Sequence, residues 1–227
     1  MTSRDRWQAA RLDVLAYCRR MQAEHLVRFT AGNISMRVPG VPDAFAVTPT
    51  SLAYDTLAPG DIVIAGVDGS ILDGTHDPTT EMPLHSLVYQ RRTNVNAIVH
   101  THSPAAMTMA ALGWTLPPIL TGFVAAAGGA VLTAPYARPG SADLADATAT
   151  ALADRGACFL EHHGLLAVGA SLARAYDAAA TTEGAAEVYL RARAFGEVPE
   201  LPAGEVEWLA EVWRAQWRPG AEGHAGH

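Results

Sequence analysis

The chain is 227 residues long, carries a formal net charge of −7 and is 49% hydrophobic, enough for one large domain to bury a core without disulfides. The acidic balance argues against a partner recognised through a polyanionic backbone, so nucleic acid is not expected. All 16 basic residues are arginine. Without a lysine amine no Schiff base can form, which excludes pyridoxal phosphate and lysine-dependent aldol chemistry; carbanion chemistry here needs a metal.

Residues 4–28 place Trp7, Ala10, Val14, Tyr17 and Met21 at three-four spacing, which predicts an amphipathic opening helix. The polar, arginine-containing start has no apolar stretch behind it, so neither a signal peptide nor a membrane span is expected. Cys18 and Cys158 lie in apolar patterns and read as buried reduced thiols, which fits a cytoplasmic setting.

From Ile34 to Val67, short β-branched runs separated by Pro, Gly and Asp predict several strands, with Asp68-Gly69 as a turn. Thr79 or Thr80 is expected to cap a helix over MPLHSLVYQRR, with Glu81 in its first turn and Leu84, Leu87 and Val88 on its apolar face. Asn96 to Ser103 reads as a short strand, followed by a helix from Pro104 to Gly113. The stretch from Trp114 to Gly140 reads as a loop rich in Pro and Gly, after which Ser141 can cap a helix through about Arg155. Two apolar runs then flank a His-His-Gly corner, Ser171 to Phe195 reads as one long helix, and EVEWLAEVWRAQW as a last aromatic-rich one. Residues 219–227 resemble a disordered tail, leaving 1–218 as one domain. The mixed order of strands and helices predicts an α/β layered fold without a Rossmann-type phosphate loop.

His100 and His102 alternate on a predicted strand, so their side chains share one face with Cα atoms about 7 Å apart. Zn–N bonds of about 2.0 to 2.1 Å then allow both imidazoles to reach one ion. A pair of plain surface or hydrogen-bonded histidines fits that spacing as well. His163 adds weight, because it sits in a tight His-Gly corner where glycine lets the backbone approach closely. Three imidazoles with an open fourth position are the arrangement of a catalytic zinc. His162 is expected to point away in a structural or supporting role, and His85, four residues after Glu81, to pack within its helix. His25, His76, His224 and His227 have no motif around them and read as solvated or core side chains.

Glu81 is either an ordinary first-turn acid or an acid/base group. The tandem hydroxyls before it favour the second role, since Thr79 and Thr80 at a helix start offer O–H and N–H donors to a phosphate without any cation. Thr30-Ala31-Gly32-Asn33 and Thr48-Pro49-Thr50-Ser51 are turns that can complete such a cradle.

Taken in order, TAGNIS (Thr30–Ser35), TPTS (Thr48–Ser51), PTTE (Pro78–Glu81), VHTHS (Val99–Ser103), AAAGG (Ala125–Gly129), APYARPGS (Ala134–Ser141) and LEHHGLLAVG (Leu160–Gly169) resemble the class II aldolase/adducin family over about residues 8 to 200. Within it the likeness is strongest to the bacterial L-fuculose-1-phosphate aldolase branch. The resemblance implies a three-layer α/β/α fold with a central, largely antiparallel sheet, and a homotetramer with active sites at subunit interfaces. It implies zinc on His100, His102 and His163, Glu81 as acid/base, and a phosphate held by Thr30, Asn33, Thr50, Thr79, Thr80 and the backbone N–H of Ser51.

The implied reaction is reversible cleavage of a ketose 1-phosphate, L-fuculose 1-phosphate or a related deoxy-ketose 1-phosphate, into dihydroxyacetone phosphate and a small aldehyde. Glu81 is then expected to have its pKa tuned toward neutrality by partial burial. Three departures bear on the aldehyde half. Thr121-Gly122-Phe123 stands where the family has a tyrosine, His162 replaces an asparagine, and Trp213 and Trp217 lie where the aldolase supplies another tyrosine. Within the family a methylthioribulose-phosphate dehydratase keeps a similar residue set. A pentulose-phosphate 4-epimerase is expected to carry Asp at the Glu81 position. A non-enzymatic adducin-like module is a further alternative, opposed by the intact histidines.

Overall fold

A computed structural model describes residues 2–217. The predicted tail at 219–227, with His224 and His227, lies outside the described residues. Eight strands form one sheet: β1 (Asn33–Val38), β2 (Val41–Val47), β3 (Val63–Gly66), β4 (Ile71–Asp73), β5 (Ala97–Thr101), β6 (Thr133–Ala134), β7 (Ala157–Leu160) and β8 (Gly164–Gly169). Their order is β4-β3-β2-β1-β5-β8-β7-β6, antiparallel throughout except for the β6–β7 edge. Seven helices accompany it: α1 (Ser3–Ala23), α2 (Met82–Arg91), α3 (Pro104–Leu112), α4 (Thr121–Ala127), α5 (Ala142–Leu152), α6 (Leu172–Arg193) and α7 (Ala203–Ala215).

Strands β2, β3, β5, β7 and β8 bury apolar side chains on both faces, so the sheet is covered twice. Ala44, Ala46, Ile64, Ala97, Val99, Phe159, Leu165 and Ala167 join a core with α1, α3, α4 and α6. Their neighbours in sequence, Phe45, Val47, Val63, Ala65, Ile98, Cys158, Leu166 and Val168, join a second core with α2 and α5. Strict alternation of core membership is the mark of a central sheet in a three-layer α/β/α arrangement. Both cysteines are buried and unpaired, as expected. Among the described residues no helix is long and apolar enough to cross a membrane.

Several boundaries differ from the sequence expectation. α1 stops at Ala23 instead of about residue 28, because His25 takes a left-handed conformation (φ 58°) and Leu26 N–H closes back on the Met21 carbonyl. A histidine in the place glycine usually takes leaves no stop signal. Within the stretch read as a loop, Thr121–Ala127 is α4, ended by a left-handed Gly128, and Thr133–Ala134 is the edge strand β6. α4 is short and apolar on most sides, so it has no polar face to generate a helical period. Neither Thr79 nor Thr80 caps α2: Glu81 itself is the N-cap, and the Thr79 hydroxyl accepts from the Glu81 N–H at 3.3 Å inside the preceding turn.

The N-terminus of α3 is fixed from a distance. Its N-cap Ser103 makes no capping bond to its own helix; Glu183 on α6 accepts from Ser103 Oγ at 2.7 Å, Ala105 N at 2.9 Å and Ala106 N at 2.7 Å. A carboxylate on three donors at a helix start is favoured by both hydrogen bonding and the macrodipole. Replacing it strands the N–H groups, so Glu183→Ala is expected to lower unfolding free energy by about 3 kcal/mol. Urea denaturation measures this, and a loss below about 0.5 kcal/mol would contradict the assignment.

Candidate metal centre and active site

The site forms at one end of the sheet, where β1 begins, β5 ends and β8 begins. His100 is the penultimate residue of β5, paired with Asn33 of β1 and Leu166 of β8, and it is fully buried. His102 lies just past the end of that strand, and His163 immediately precedes β8. Their ligating nitrogens all fall within 4.8 Å of one another. Burial, then the neighbouring His100, lowers His102 to about 3 and His163 to about 4, so both are neutral imidazoles at physiological pH, the form that binds metals.

In the form that binds a metal, the tautomer of His100 follows from its surroundings. Its Nδ1 lies 2.9 Å from the Leu165 carbonyl, which can only accept, so Nδ1 carries the proton and Nε2 presents a lone pair. That Nε2 is 2.9 Å from His102 Nε2 and 3.2 Å from Glu81 Oε2, while His163 Nε2 is 3.1 Å from Glu81 Oε1. His100 Nε2 and Glu81 Oε2 are then two acceptors 3.2 Å apart, which repel unless a positive charge lies between them. Ligands of a tetrahedral ion with bonds of about 2.0 to 2.1 Å stand about 3.3 Å apart, so the donor set fits a divalent cation such as zinc.

Glu81 reaches this point from the opposite side of the cleft. Its φ of −92° and ψ of 11° are those of the third residue of a type I turn, closed by Met82 N–H on the Thr79 carbonyl at 3.0 Å. Burial by itself raises its carboxyl pKa. Its interactions with His100 and His163, the donated Asn33 amide and the nearby His85 together outweigh burial and bring the value to about 2. The expected tuning toward neutrality is therefore reversed: the carboxyl is buried but held ionised by the imidazoles and the Asn33 amide around it, and it stands ready as a base.

The cleft has a volume of about 220 Å³ and is lined by every residue singled out for phosphate and metal: Thr30, Asn33, Thr50, Ser51, Thr79, Thr80, Glu81, His100, His102 and His163. Thr30, Ser51 and Thr80 are exposed at its rim, and Ser51 is left-handed (φ 58°). Asn33 is placed differently from the others. Its amide is spent largely on the protein, donating to Glu81 Oε2 at 2.9 Å and accepting from His85 at 2.6 Å, so a phosphate could claim only its second N–H. His85 was expected merely to pack; it is fully buried and hydrogen-bonded directly behind the carboxylate's partner. Tyr54, which carried no sequence signal, donates to the Gly32 carbonyl at 2.6 Å and holds the first hydroxyl loop.

The remaining candidates stay outside. His162 is exposed and left-handed (φ 56°), its ring 6.1 Å from that of Tyr136. His76 pairs with Asp61 at 3.0 Å, and His25 is exposed. Phe123 is buried in the core, and Trp213 packs on Gly128 and against Trp217 at 5.4 Å, so none of the three lines the cleft. A larger hollow of about 620 Å³ lies at the far end of β1, but its one guanidinium, Arg37, is consumed by the carbonyls of Val95, Pro42 and Tyr89.

Two glycines make the convergence possible. Gly32 is left-handed (φ 72°), and a Cβ there would meet the His100 carbonyl at 2.5 Å. A Cβ on Gly164 would press on the Thr101 carbonyl, on His102 Cδ2 at 3.0 Å and on His100 Cε1 at 3.2 Å. Gly164→Ala is therefore expected to spread the imidazoles and weaken zinc affinity about 10- to 100-fold with the circular dichroism spectrum unchanged, as competition with a chromophoric chelator would measure. Unaltered affinity would show that the glycine is dispensable.

The chain is similar in sequence and fold to known proteins. The Class II Aldolase and Adducin N-terminal domain family fits residues 12–190. The chain is 38% identical over 206 residues to 5-deoxy-D-ribulose 1-phosphate aldolase of Bacillus thuringiensis serovar kurstaki, covering 90% of this chain and 95% of that one. It is 33% identical over 206 residues to 5-methylthioribulose-1-phosphate/5-deoxyribulose-1-phosphate aldolase of Rhodospirillum rubrum, covering 91% of each. A solved structure of L-fuculose 1-phosphate aldolase superposes with a TM-score of 0.87 at 30% identity, covering 94% of this chain and 98% of that one.

Proposed function

The chain belongs to the class II aldolase and adducin family, and on that premise we propose that it is a zinc-dependent aldolase acting on a deoxy-ketose 1-phosphate. It would cleave the bond between C3 and C4 to release dihydroxyacetone phosphate and a small aldehyde. The observation that carries the reading is the meeting of three imidazole nitrogens and one carboxylate at the end of a hydroxyl-lined cleft. The names of the relatives favour a five-carbon substrate over fuculose phosphate, with acetaldehyde as the released half.

The roles follow from position. Thr30, Thr50, Thr79, Thr80 and the Ser51 N–H receive the phosphate with neutral donors, beside the start of α2. His100, His102 and His163 hold the cation, which supplies a Lewis acid for the charge that develops on the carbonyl and neighbouring hydroxyl oxygens. In the cleavage direction the C4 hydroxyl would pass its proton to the ionised Glu81 carboxylate, the C3–C4 electron pair stays with C3, and Glu81 then hands that proton to C3. Glu81 exchanges that C3 proton: as a buried anion it accepts it when the bond is made and returns it when the bond is broken. No lysine is required for any step.

The aldehyde end has no aromatic side chain from this chain's own cleft lining. Completion by a neighbouring subunit, in a homotetramer, is part of the proposal. The gathered histidines speak against a non-enzymatic module, and the dehydratase alternative differs in its product.

Glu81→Gln is expected to retain zinc and substrate binding while turnover of 5-deoxy-D-ribulose 1-phosphate falls about 10²- to 10⁴-fold, followed as dihydroxyacetone phosphate release. Near-normal turnover of the variant would remove Glu81 from the chemistry. Loss of water without chain cleavage by the unaltered protein would refute the aldolase itself.

A further inference from the structure

Behind the Glu81 carboxylate runs a buried file of polar side chains that the reaction does not use directly. Asn33 and Ser35 lie two residues apart on β1, so they share the face that looks toward α2. Glu81, His85 and Tyr89 are four apart at and along α2, so they form one helical stripe. Four helical residues advance about 6 Å and two strand residues about 6.8 Å. The two stripes therefore stay nearly in step and interleave as a ladder.

Its contacts are continuous. Asn33 Nδ2 donates to Glu81 Oε2 at 2.9 Å, Asn33 Oδ1 meets His85 Nε2 at 2.6 Å, His85 Nδ1 meets Ser35 Oγ at 2.7 Å, and Ser35 Oγ meets Tyr89 Oη at 2.7 Å. All five residues are less than 5% exposed, so water cannot substitute for a missing partner.

One direction of protons satisfies every member. The ionised carboxylate only accepts, so the Asn33 amide must turn its NH₂ to Glu81 and its oxygen to His85. That oxygen only accepts, so His85 must carry its proton on Nε2. Burial lowers His85 to about 3, so the ring is neutral and Nδ1 is an acceptor. Ser35 then spends its one proton on Nδ1, and Tyr89 must donate to Ser35. Arg37, the next residue on the same strand face, stacks 4.7 Å from the Tyr89 ring and donates to the Tyr89 carbonyl at 2.7 Å, fixing the far end.

We propose that His85 is a positioning residue for the Glu81 carboxylate, locked as its Nε2–H tautomer by Ser35 and Tyr89 so that Asn33 presents its NH₂, and not its oxygen, to Glu81. The proposal rests on Glu81 as the acid/base. With the opposite tautomer Asn33 would have to flip, and two acceptor oxygens would face each other at hydrogen-bond distance. The carboxylate would then leave its place between His100 and His163.

Two measurements test this. Long-range ¹H–¹⁵N correlation of the histidine side chains, with His85 identified by its loss in His85→Gln, is expected to show the Nε2–H tautomer in the unaltered protein and a Nδ1–H population in Ser35→Ala. A predominantly Nδ1–H ring in the unaltered protein overturns the ladder. In turnover, His85→Leu is expected to lower kcat about 100-fold with KM and bound zinc within about twofold, and His85→Gln, whose amide N–H can still reach Asn33, to recover to within about tenfold. Equal losses in His85→Leu and His85→Gln, or full activity in His85→Leu, would overturn the positioning role. The two readings separate: a protein that cleaves no ketose phosphate fails the aldolase proposal while the tautomer still reports on the ladder. A protein inactivated by Glu81→Gln but indifferent to His85→Leu fails the positioning proposal alone.

Discussion

The hydrogen bond between His100 Nδ1 and the Leu165 carbonyl is the constraint on which the site depends. It crosses from β5 to β8, it is wholly buried, and it decides which nitrogen of the ring faces the cleft. With Nδ1 occupied, Nε2 turns its lone pair toward the Glu81 carboxylate 3.2 Å away, an arrangement that is unfavourable without a cation. The sheet thus places a liability at its end, and the burial of His100 inside two strand pairs keeps the ring from turning away. A metal site built on a strand interior is held by the same forces as the core, so its geometry should vary little with the state of the loops.

The other half of the site comes from less regular structure. The Thr79–Glu81 turn delivers the carboxylate, and the loops at Thr30–Gly32 and Thr50–Ser51 deliver hydroxyls and N–H groups. The Thr50 and Thr79 segments are tied to each other by backbone bonds, Thr50 N–H to the Asp77 carbonyl and Thr79 N–H to the Thr48 carbonyl, both at 3.0 Å. The division is functional. On the proposed function, rigid strands fix the atoms that must converge on one point, while hydroxyl-bearing turns would surround a phosphate, whose charge is spread over several oxygens and tolerates looser placement.

Much of this was legible from the sequence, for physical reasons that can be named. Strand and helix periods gave the layers because most strands, β2, β3, β5, β7 and β8 among them, place buried residues on both faces. The HxH pair and the His-Gly corner indicated the metal site because ligand chemistry restricts residue type and spacing so strongly. What escaped depended on partners distant in sequence. α4 has no polar face to betray it, and the end of α1 is set by a left-handed histidine in place of glycine. The shift of Glu81 came out with the wrong sign because burial was visible as an idea but the two imidazoles pressed against it were not. Asn33 read as a phosphate ligand from its turn, and nothing in the sequence showed that its amide also joins Glu81 to His85. The Glu81-His85-Tyr89 spacing and the Asn33-Ser35 alternation were present in the sequence, but only the pairing of α2 with β1 shows that they interlock.

The central claim is that His100, His102 and His163 converge to hold one divalent cation beside Glu81. Anomalous diffraction across the zinc absorption edge, from crystals of the protein grown with zinc, tests it most directly. The account predicts one strong peak about 2.0 to 2.1 Å from the Nε2 atoms of all three histidines. A cleft without such a peak, with zinc bound elsewhere or not at all, would contradict it.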